Sequence, residues 1–378
     1  MPFQSGPHGI QDLAKRLGVI SLAAIAGAMI GLIATGFFML VQLAAQIWTP
    51  ALTRSLEEPA PIVYNATLGL ALLGSALIAG FILSRMRPHR PEGAADLIQA
   101  AQTHHLPNIR QGLLSSILAL NNLCGGASVG VFGPLVHLGG CLNALFLKRQ
   151  RDFPIDLMLG AGAGAAIAAV FSAPIGAAIF AYETIIRRFG SFGAAPVLAA
   201  TFAAYWSAEQ LLGGHRLFSV ATIPSLDPTS LGLAALIGIA CGAACITYIH
   251  LVTTMPRWAD RTGIPISLRP LVPASLLFLI SPWLPHLLGT GLGSADLALA
   301  GQLTLSLLIV LVITKIAMTS LCLGFGFFGG VVSPALFFGM MIGGVVDQLI
   351  SVPSADLTQF ALVGAASCIA AVIGAPIA

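Results

Sequence analysis

Long runs of apolar residues, separated by short polar segments, make up most of this chain. The first run extends from about Leu17 to Trp48 and the second from about Ile62 to Leu83, and later runs lie near 231–254, 271–288 and 301–321. A helix needs about 20 apolar residues to cross the hydrocarbon core of a bilayer. The pattern therefore predicts an all-α membrane protein that crosses the bilayer several times.

One apolar run has a different organisation. The residues from about Leu157 to Ile186 have basic residues at both ends, which places both ends on the same side of the membrane. About 30 residues are too few for two full crossings. The break at Ser172, Ala173 and Pro174 resolves the conflict, because it predicts two short helices that meet inside the protein.

Composition and charge agree with the membrane assignment. The chain has 378 residues, of which 57% are hydrophobic and 8% charged, and its mean hydropathy is +0.93. A net charge of +3 without a basic arm or an aromatic-basic cluster gives no indication of nucleic-acid binding. The six cysteines lie in apolar segments without a Cys-x-x-Cys pair, so we expect small buried side chains and neither a metal site nor a cofactor.

The basic residues at the ends of the first two runs predict the orientation. Lys15 and Arg16 precede the first run, and Arg85, Arg87 and Arg90 follow the second. Basic residues near the ends of spans favour the cytoplasm, so we expect a cytoplasmic N-terminus. The first run is too long for the hydrophobic region of a signal peptide, and we interpret it as a retained helix.

A glycine-rich segment interrupts an apolar run at membrane depth. It extends from Gly125 to Gly140 and contains six glycines and Pro134. Irregular backbone is tolerated at this depth only where protein or a water-filled cavity surrounds it. Broken helices there direct the positive ends of their dipoles toward the cavity, which favours an anion.

The chain also contains an internal duplication. Residues 162–175 (GAGAAIAAVFSAPI) and 364–377 (GAASCIAAVIGAPI) agree at nine of fourteen positions, at an offset of 364 − 162 = 202. Gly-Val-x-x-Pro occurs at 130–134 and again at 330–334, at an offset of 200. We therefore predict two transmembrane halves, 1–215 and 216–378, with no soluble domain.

The two glycine-rich segments carry a family resemblance. Gly-Gly-Ala-Ser-Val-Gly-x-x-Gly-Pro-x-Val-His-x-Gly, beginning at Gly125, resembles the anion-binding segment of the CLC chloride channels and chloride/proton antiporters. Gly-Gly-Val-Val-Ser-Pro, ending at Pro334, resembles a second anion-path segment of that family. The resemblance implies an inverted repeat of tilted and broken helices, a homodimer in membrane lipid, and chloride as the transported ion.

The same resemblance implies the anion site. Backbone amides at the start of the broken helices would replace the water around the ion, and because they are neutral dipoles they would not hold it too tightly. The expected anion-binding residues are Gly130, Val131, Phe132, Gly133, Gly330, Val331, Val332 and Ser333.

Three positions depart from the family pattern. Phe132 stands where the family has a gating glutamate. Glu183 retains the first of a glutamate pair, but Thr184 replaces the second, which is the internal proton-transfer residue. Glu92 occupies the position of a serine that touches the anion from the cytoplasmic side. Since Phe132 and Thr184 cannot carry protons, we expect passive anion passage without proton coupling.

Three charged side chains have structural interpretations as well. We expect Glu92 to point away from the path and either pair with Arg90 or cap the following helix. Glu183 is expected to pair with Arg187 at a spacing of i and i+4. Lys315 could bind an anion, but a lysine near a helix end also snorkels to the membrane surface, which we expect here.

Other functions stay open at this point. An antiporter could use Glu183 or Glu92 as its acid, and a sensor or scaffold could share the fold without transport. An intramembrane hydrolase would need a nucleophile and a base. Ser128 and His137 are the nearest pair, but they flank the glycine-proline break, so we do not expect an enzyme.

The duplication also predicts that the chain ends early. It stops two residues past Pro376, whereas the first half continues about 35 residues past Pro174. We therefore expect the family's final helices, including the tyrosine that contacts the central anion, to lie beyond Ala378.

Overall fold

The part of the chain that the structure describes is almost wholly helical. The computed structural model describes residues 7–47, 62–86, 89–147, 153–188, 191–213, 228–350 and 357–378. The predicted boundary between the halves, at 215 and 216, lies outside these residues and stays a prediction.

The first half begins with two long helices and continues with shorter ones. Its described helices are α1 (Pro7–Ala45), α2 (Ile62–Arg85), α3 (Ala94–Gln102), α4 (Ile109–Cys124), α5 (Phe132–Leu147), α6 (Ile155–Phe171), α7 (Pro174–Phe180) and α8 (Ser191–Leu212). α7 continues as a π-helical turn over Ala181–Ile186. The first two predicted spans are thus confirmed as α1 and α2, although Trp48, the predicted end of the first, lies outside the described residues.

The second half follows a similar order. Its described helices are α9 (Pro228–Arg261), α10 (Leu271–Ile280), α11 (Leu292–Leu299), α12 (Leu305–Gly324), α13 (Val332–Ile350) and α14 (Leu357–Ile373). A 3₁₀ turn, Pro285–Leu287, precedes α11. α5 and α13 both begin within a glycine-rich segment, at positions 132 and 332, as the duplication predicts.

The predicted break in the 157–186 run is confirmed. α6 ends at Phe171, and Ser172 adopts a left-handed conformation with φ +52° that ends the helix. Pro174 then begins α7, because proline lacks an amide proton and suits the first turn of a helix. Neither piece has the length of a full crossing.

Apolar side chains cover the outer faces of the long helices. Among the described residues, five helical segments are long and apolar enough to cross a membrane: Lys15–Ala45, Ala66–Arg85, Pro228–Arg261, Leu305–Gly324 and Val332–Leu349. On α9, Leu231, Ile239 and Ile246 are between 58% and 73% exposed. Such a surface is suited to lipid, and the chain is a multi-pass membrane protein.

The duplication is repeated in the packing of the helices. Gly139 on α5 lies against the backbone of Gly162 on α6, and Gly339 on α13 lies in the same way against Gly364 on α14. These pairs match at the sequence offsets of 200 and 202. Small residues allow two helix backbones to approach closely, so each half buries the same seam.

Candidate functional site

The two glycine-rich segments meet through their backbones. The amide of Gly130 donates to the carbonyl of Gly330 at 2.7 Å, and the amide of Gly330 donates back to the carbonyl of Gly130 at 2.6 Å. The pairing is antiparallel. Two equivalent residues that bond each other reciprocally in this way are related by a local two-fold axis, which is the relation expected of an inverted repeat.

The contact leaves no room for side chains. A Cβ atom at Gly330 would lie 2.6 Å from the Gly133 nitrogen, and one at Gly133 would lie 2.8 Å from the Gly330 Cα. A Cβ at Gly130 would lie 2.6 Å from the Gly330 oxygen. Glycine at these positions thus allows the two segments to touch.

Hydrogen bonds between the two segments occupy some of the amides that were predicted to bind an anion and leave others unpaired. The amides of Gly130 and Gly330 bond each other, and the Val131 amide donates to the Ser333 hydroxyl at 3.1 Å. Within the described residues, five neighbouring amides donate to no protein group: those of Phe132, Gly133, Val331, Val332 and Ser333. The candidate donors are therefore these five, rather than all eight predicted residues.

Two helix N-termini contribute positive electrostatic potential near these five amides. α5 and α13 both begin here, so the positive ends of two helix dipoles converge. Neither helix has an acidic residue in its first turn. Unpaired amides at helix N-termini are ready anion-binding groups.

Phe132, at the predicted gate position, is fixed by packing. Its side chain is 1% exposed, and its ring lies 4.1 Å from the ring of Phe171, centroid to centroid. Phe171 is the last residue of α6. An aromatic pair thus occupies the place where the family resemblance leads one to expect a mobile carboxylate.

The interpretation of Glu92 was wrong. Asp96 both pairs with Arg90, at 2.5 Å, and caps α3 by accepting from the Gly93 amide at 2.8 Å. The Glu92 carboxylate instead faces the buried His137, with 3.8 Å between Oε2 and Nε2. Burial and the neighbouring Asp96 raise the pKa of Glu92, while Arg90 opposes the rise.

The ion pair predicted for Glu183 is also wrong. The Glu183 carboxylate accepts hydrogen bonds from the amides of Ile377, at 3.2 Å, and Ala378, at 3.0 Å. Arg187 has a left-handed backbone conformation, with φ +54°, and its guanidinium donates to the Thr184 carbonyl. Thr184 is buried, and its hydroxyl donates to the Phe180 carbonyl within the same helix.

Lys315 does not snorkel. Its side chain is 0% exposed, and its Nζ donates to the carbonyls of Leu287, at 3.2 Å, and Gly289, at 3.0 Å. Its two acceptors lie at the end of the 3₁₀ turn Pro285–Leu287 and just after it, and this turn packs against α12. The side chain therefore turns inward instead of extending to the membrane surface.

Two residues that form hydrogen bonds to the second glycine-rich segment and the residue before it were not predicted from the sequence. The Tyr248 hydroxyl donates to the Val331 carbonyl at 3.3 Å, and the Asn122 amide group donates to the Phe328 carbonyl at 3.0 Å. Both side chains are 0% exposed. A tyrosine and an asparagine inside apolar runs were the available signals, because a buried polar group needs a hydrogen-bond partner.

Ser128 and His137 have separate partners. The Ser128 hydroxyl lies 3.4 Å from the Thr319 hydroxyl, whereas His137 contacts Glu92 and the Cys141 sulfur, 3.9 Å from Nδ1. Among the described residues, the structure records no hydrogen bond between this serine and this histidine. The arrangement lacks the contact that a nucleophile and its general base share.

Comparison with known proteins gives one consistent result. The family model described as voltage gated chloride channel matches residues 74–378. The chain is 25% identical to the H(+)/Cl(-) exchange transporter ClcA of Vibrio campbellii, over 95% of this chain and 80% of that protein. It is 28% identical to the chloride channel protein CLC-f of Arabidopsis thaliana, over 70% of this chain and 37% of that protein.

Solved structures agree on the fold. A slow cyanobacterial Cl-/H+ antiporter matches with a TM-score of 0.79 and 19% identity, over 93% of this chain and 85% of that one. A CLC-type fluoride/proton antiporter matches with a TM-score of 0.78 and 20% identity, over 96% of this chain and 89% of that one.

Proposed function

Because this chain belongs to the voltage-gated chloride channel family, we propose that it lets chloride and similar anions cross the membrane passively, without coupling to protons. The observation that carries the proposal is the reciprocal hydrogen bonding of Gly130 and Gly330. It brings the starts of α5 and α13 to one place within the protein, with five unpaired amides beside it.

The chemistry of these amides suits passage rather than tight binding. An anion that enters must lose part of its hydration shell, and amide hydrogens replace the lost water contacts. Neutral dipoles attract an anion less strongly than a lysine or arginine side chain in direct contact would. The ion can therefore leave as readily as it enters.

The residues at the proton-path positions do not support proton coupling. Phe132 has no titratable group and packs on Phe171. Thr184 has a hydroxyl that donates to its own helix, and the Glu183 carboxylate is engaged by two amides. Coupled transport needs a group that changes protonation along the path.

We also propose an orientation of the chain in the membrane and an oligomeric state. The N-terminus lies in the cytoplasm because Lys15, Arg16 and Arg85 flank the first two spans. Two copies assemble in the bilayer, as the family resemblance implies.

Reconstituted liposomes test the proposal directly. Vesicles that contain the protein should release chloride down its gradient when valinomycin balances the charge with potassium. An imposed chloride gradient should not drive protons uphill. Absence of chloride release contradicts anion passage, and uphill proton movement contradicts the passive mechanism.

One observation favours a second candidate, a proton-coupled exchanger. Glu92 lies 3.8 Å from His137 in the second turn of α5, so two titratable groups meet there that could hold a proton. In that case, Glu92→Gln would abolish proton movement and spare chloride flux. For the passive mechanism, the wild-type protein shows no proton movement to abolish.

A further inference from the structure

A lysine side chain lies in the interior of the protein, and no carboxylate of the described residues pairs with it. Lys315 is 0% exposed, in the middle of α12. Two carbonyl oxygens and the face of the Phe337 ring, 5.0 Å from Nζ, surround the nitrogen. All three present partial negative charge, an environment that suits an ammonium group. Among the described residues, no acidic side chain forms an ion pair with it.

Hydrogen bonding alone does not account for a lysine here. Neutral donors such as glutamine can satisfy two carbonyl oxygens, whereas an ammonium group adds a large cost of desolvation. Charged residues at membrane depth are expensive and mark ion pathways. The cost falls if a mobile anion spends time nearby, because the anion then offsets the charge.

The surroundings of Lys315 connect it to the first glycine-rich segment. Gly289, whose carbonyl accepts from Lys315, donates its own amide to the Gly126 carbonyl at 3.0 Å. Thr319, one turn along α12 from Lys315, has its hydroxyl 3.4 Å from that of Ser128. The face of α12 that carries Lys315 therefore packs against the segment that leads to Gly130.

The second glycine-rich segment is also close to Lys315. Phe337, which lies beneath the ammonium group, is one helical turn after Ser333 on α13. One turn of helix, about 5.4 Å, together with the 5.0 Å contact between Nζ and the Phe337 ring, places Lys315 on the order of 10 Å from the unpaired amides. At that separation, in the interior of a protein, a unit charge still acts on an anion, and salt screens it little.

We propose that Lys315 is the fixed charge that draws anions to the converging amides and excludes cations. It contacts no ion directly in this role, since two of its three donors bond Leu287 and Gly289 and the Phe337 ring lies against the nitrogen. The inference rests on the proposed function, because it assigns the source of attraction for the same pathway.

The test compares Lys315→Gln, which keeps hydrogen-bond donors, with Lys315→Arg, which keeps the charge. Chloride flux is measured in liposomes against chloride concentration, and the anion-to-cation permeability ratio is measured from reversal potentials. We expect Lys315→Gln to raise the half-saturating chloride concentration about tenfold, which corresponds to about 1.4 kcal/mol, and to lower the permeability ratio. Lys315→Arg should keep both values near those of the wild type.

Lys15→Gln is the matched control, because it removes one positive charge from an exposed position on α1. It should leave both readouts unchanged. A folded Lys315→Gln protein whose half-saturation stays within twofold of the wild type overturns the inference. If that variant does not fold, Thr319→Glu neutralises the same charge by pairing one turn away, and an unchanged half-saturation there overturns it equally. Loss of flux in the wild type itself contradicts the proposed function instead.

Discussion

Replacement of Gly330 by alanine probes the contact between the two glycine-rich segments. The new Cβ would lie 2.6 Å from the Gly133 nitrogen and 3.1 Å from its Cα, so the segments must separate. Overpacking of this kind costs about 1–3 kcal/mol. Separation also weakens the two hydrogen bonds between Gly130 and Gly330, each worth about 0.5–1.5 kcal/mol. We therefore expect the free energy of unfolding to fall by about 2–6 kcal/mol.

The assay for Gly330→Ala combines unfolding in detergent with chloride release from liposomes, and both should decrease. Gly242→Ala is the matched control, since a Cβ there meets nothing within 4 Å on α9. Alanine replaces glycine within a helix at that site, so stability should rise by up to about 1 kcal/mol. If Gly330→Ala behaves like Gly242→Ala in both assays, the reasoning about the paired segments is refuted.

Three further changes test other parts of the structure. Phe132→Glu places a carboxylate beside the unpaired amides and should reduce chloride release several-fold at pH 7. Release should recover near pH 4, because the carboxylate is protonated there. A rate of release that stays constant from pH 7 to pH 4 contradicts the prediction. The raised pKa of Glu92 means that its contribution to stability is present below its usual value of 4.5 and is lost as pH rises through the folded-state pKa. Glu92→Gln should therefore be more stable than the wild type at pH 7, with a difference that disappears by about pH 4 in thermal unfolding; equal stability at pH 7 argues against it. Arg188→Gln removes the exposed partner of the buried Asp156 carboxylate and should lower the free energy of unfolding by about 1–3 kcal/mol. Adding Asp156→Asn to this variant should recover part of the lost stability. If Arg188→Gln alone loses no stability, the prediction is contradicted.

The sequence was sufficient to predict how the backbone breaks. The offset of 200 between Gly130 and Gly330 indicates equivalent elements, and glycine, proline and an apolar surrounding are local signals that require no knowledge of tertiary contacts. The break between Phe171 and Pro174 followed from run length and flanking charge in the same way. Such features can be predicted because a bilayer fixes the length that a crossing helix needs.

The contacts of charged side chains could not be predicted from local spacing. Lys315 finds its acceptors at Leu287 and Gly289, 28 and 26 residues earlier in the chain. Glu92 faces His137, which is distant in sequence, while Asp96 takes the partner that was expected for Glu92. Rules for i and i+4 neighbours describe isolated helices, and here the packing of one helix on another decides the outcome.

The amides of the two segments illustrate the same limit at the candidate site. Their convergence was predicted, but the use of Gly130, Val131 and Gly330 to hold the segments together was not. The hydrogen bonds that join the two halves occupy the amide donors at the centre of the contact. The donors that remain are displaced toward the first turns of α5 and α13.

The most direct test of the account is the position of a bound anion. A crystal of the protein grown in bromide gives an anomalous signal that locates the ion without reference to the protein atoms. The account predicts a bromide peak within about 3.5 Å of at least one of the five unpaired amides, those of Phe132, Gly133, Val331, Val332 and Ser333. Bromide that binds elsewhere in the protein, with no peak between the starts of α5 and α13, would contradict it.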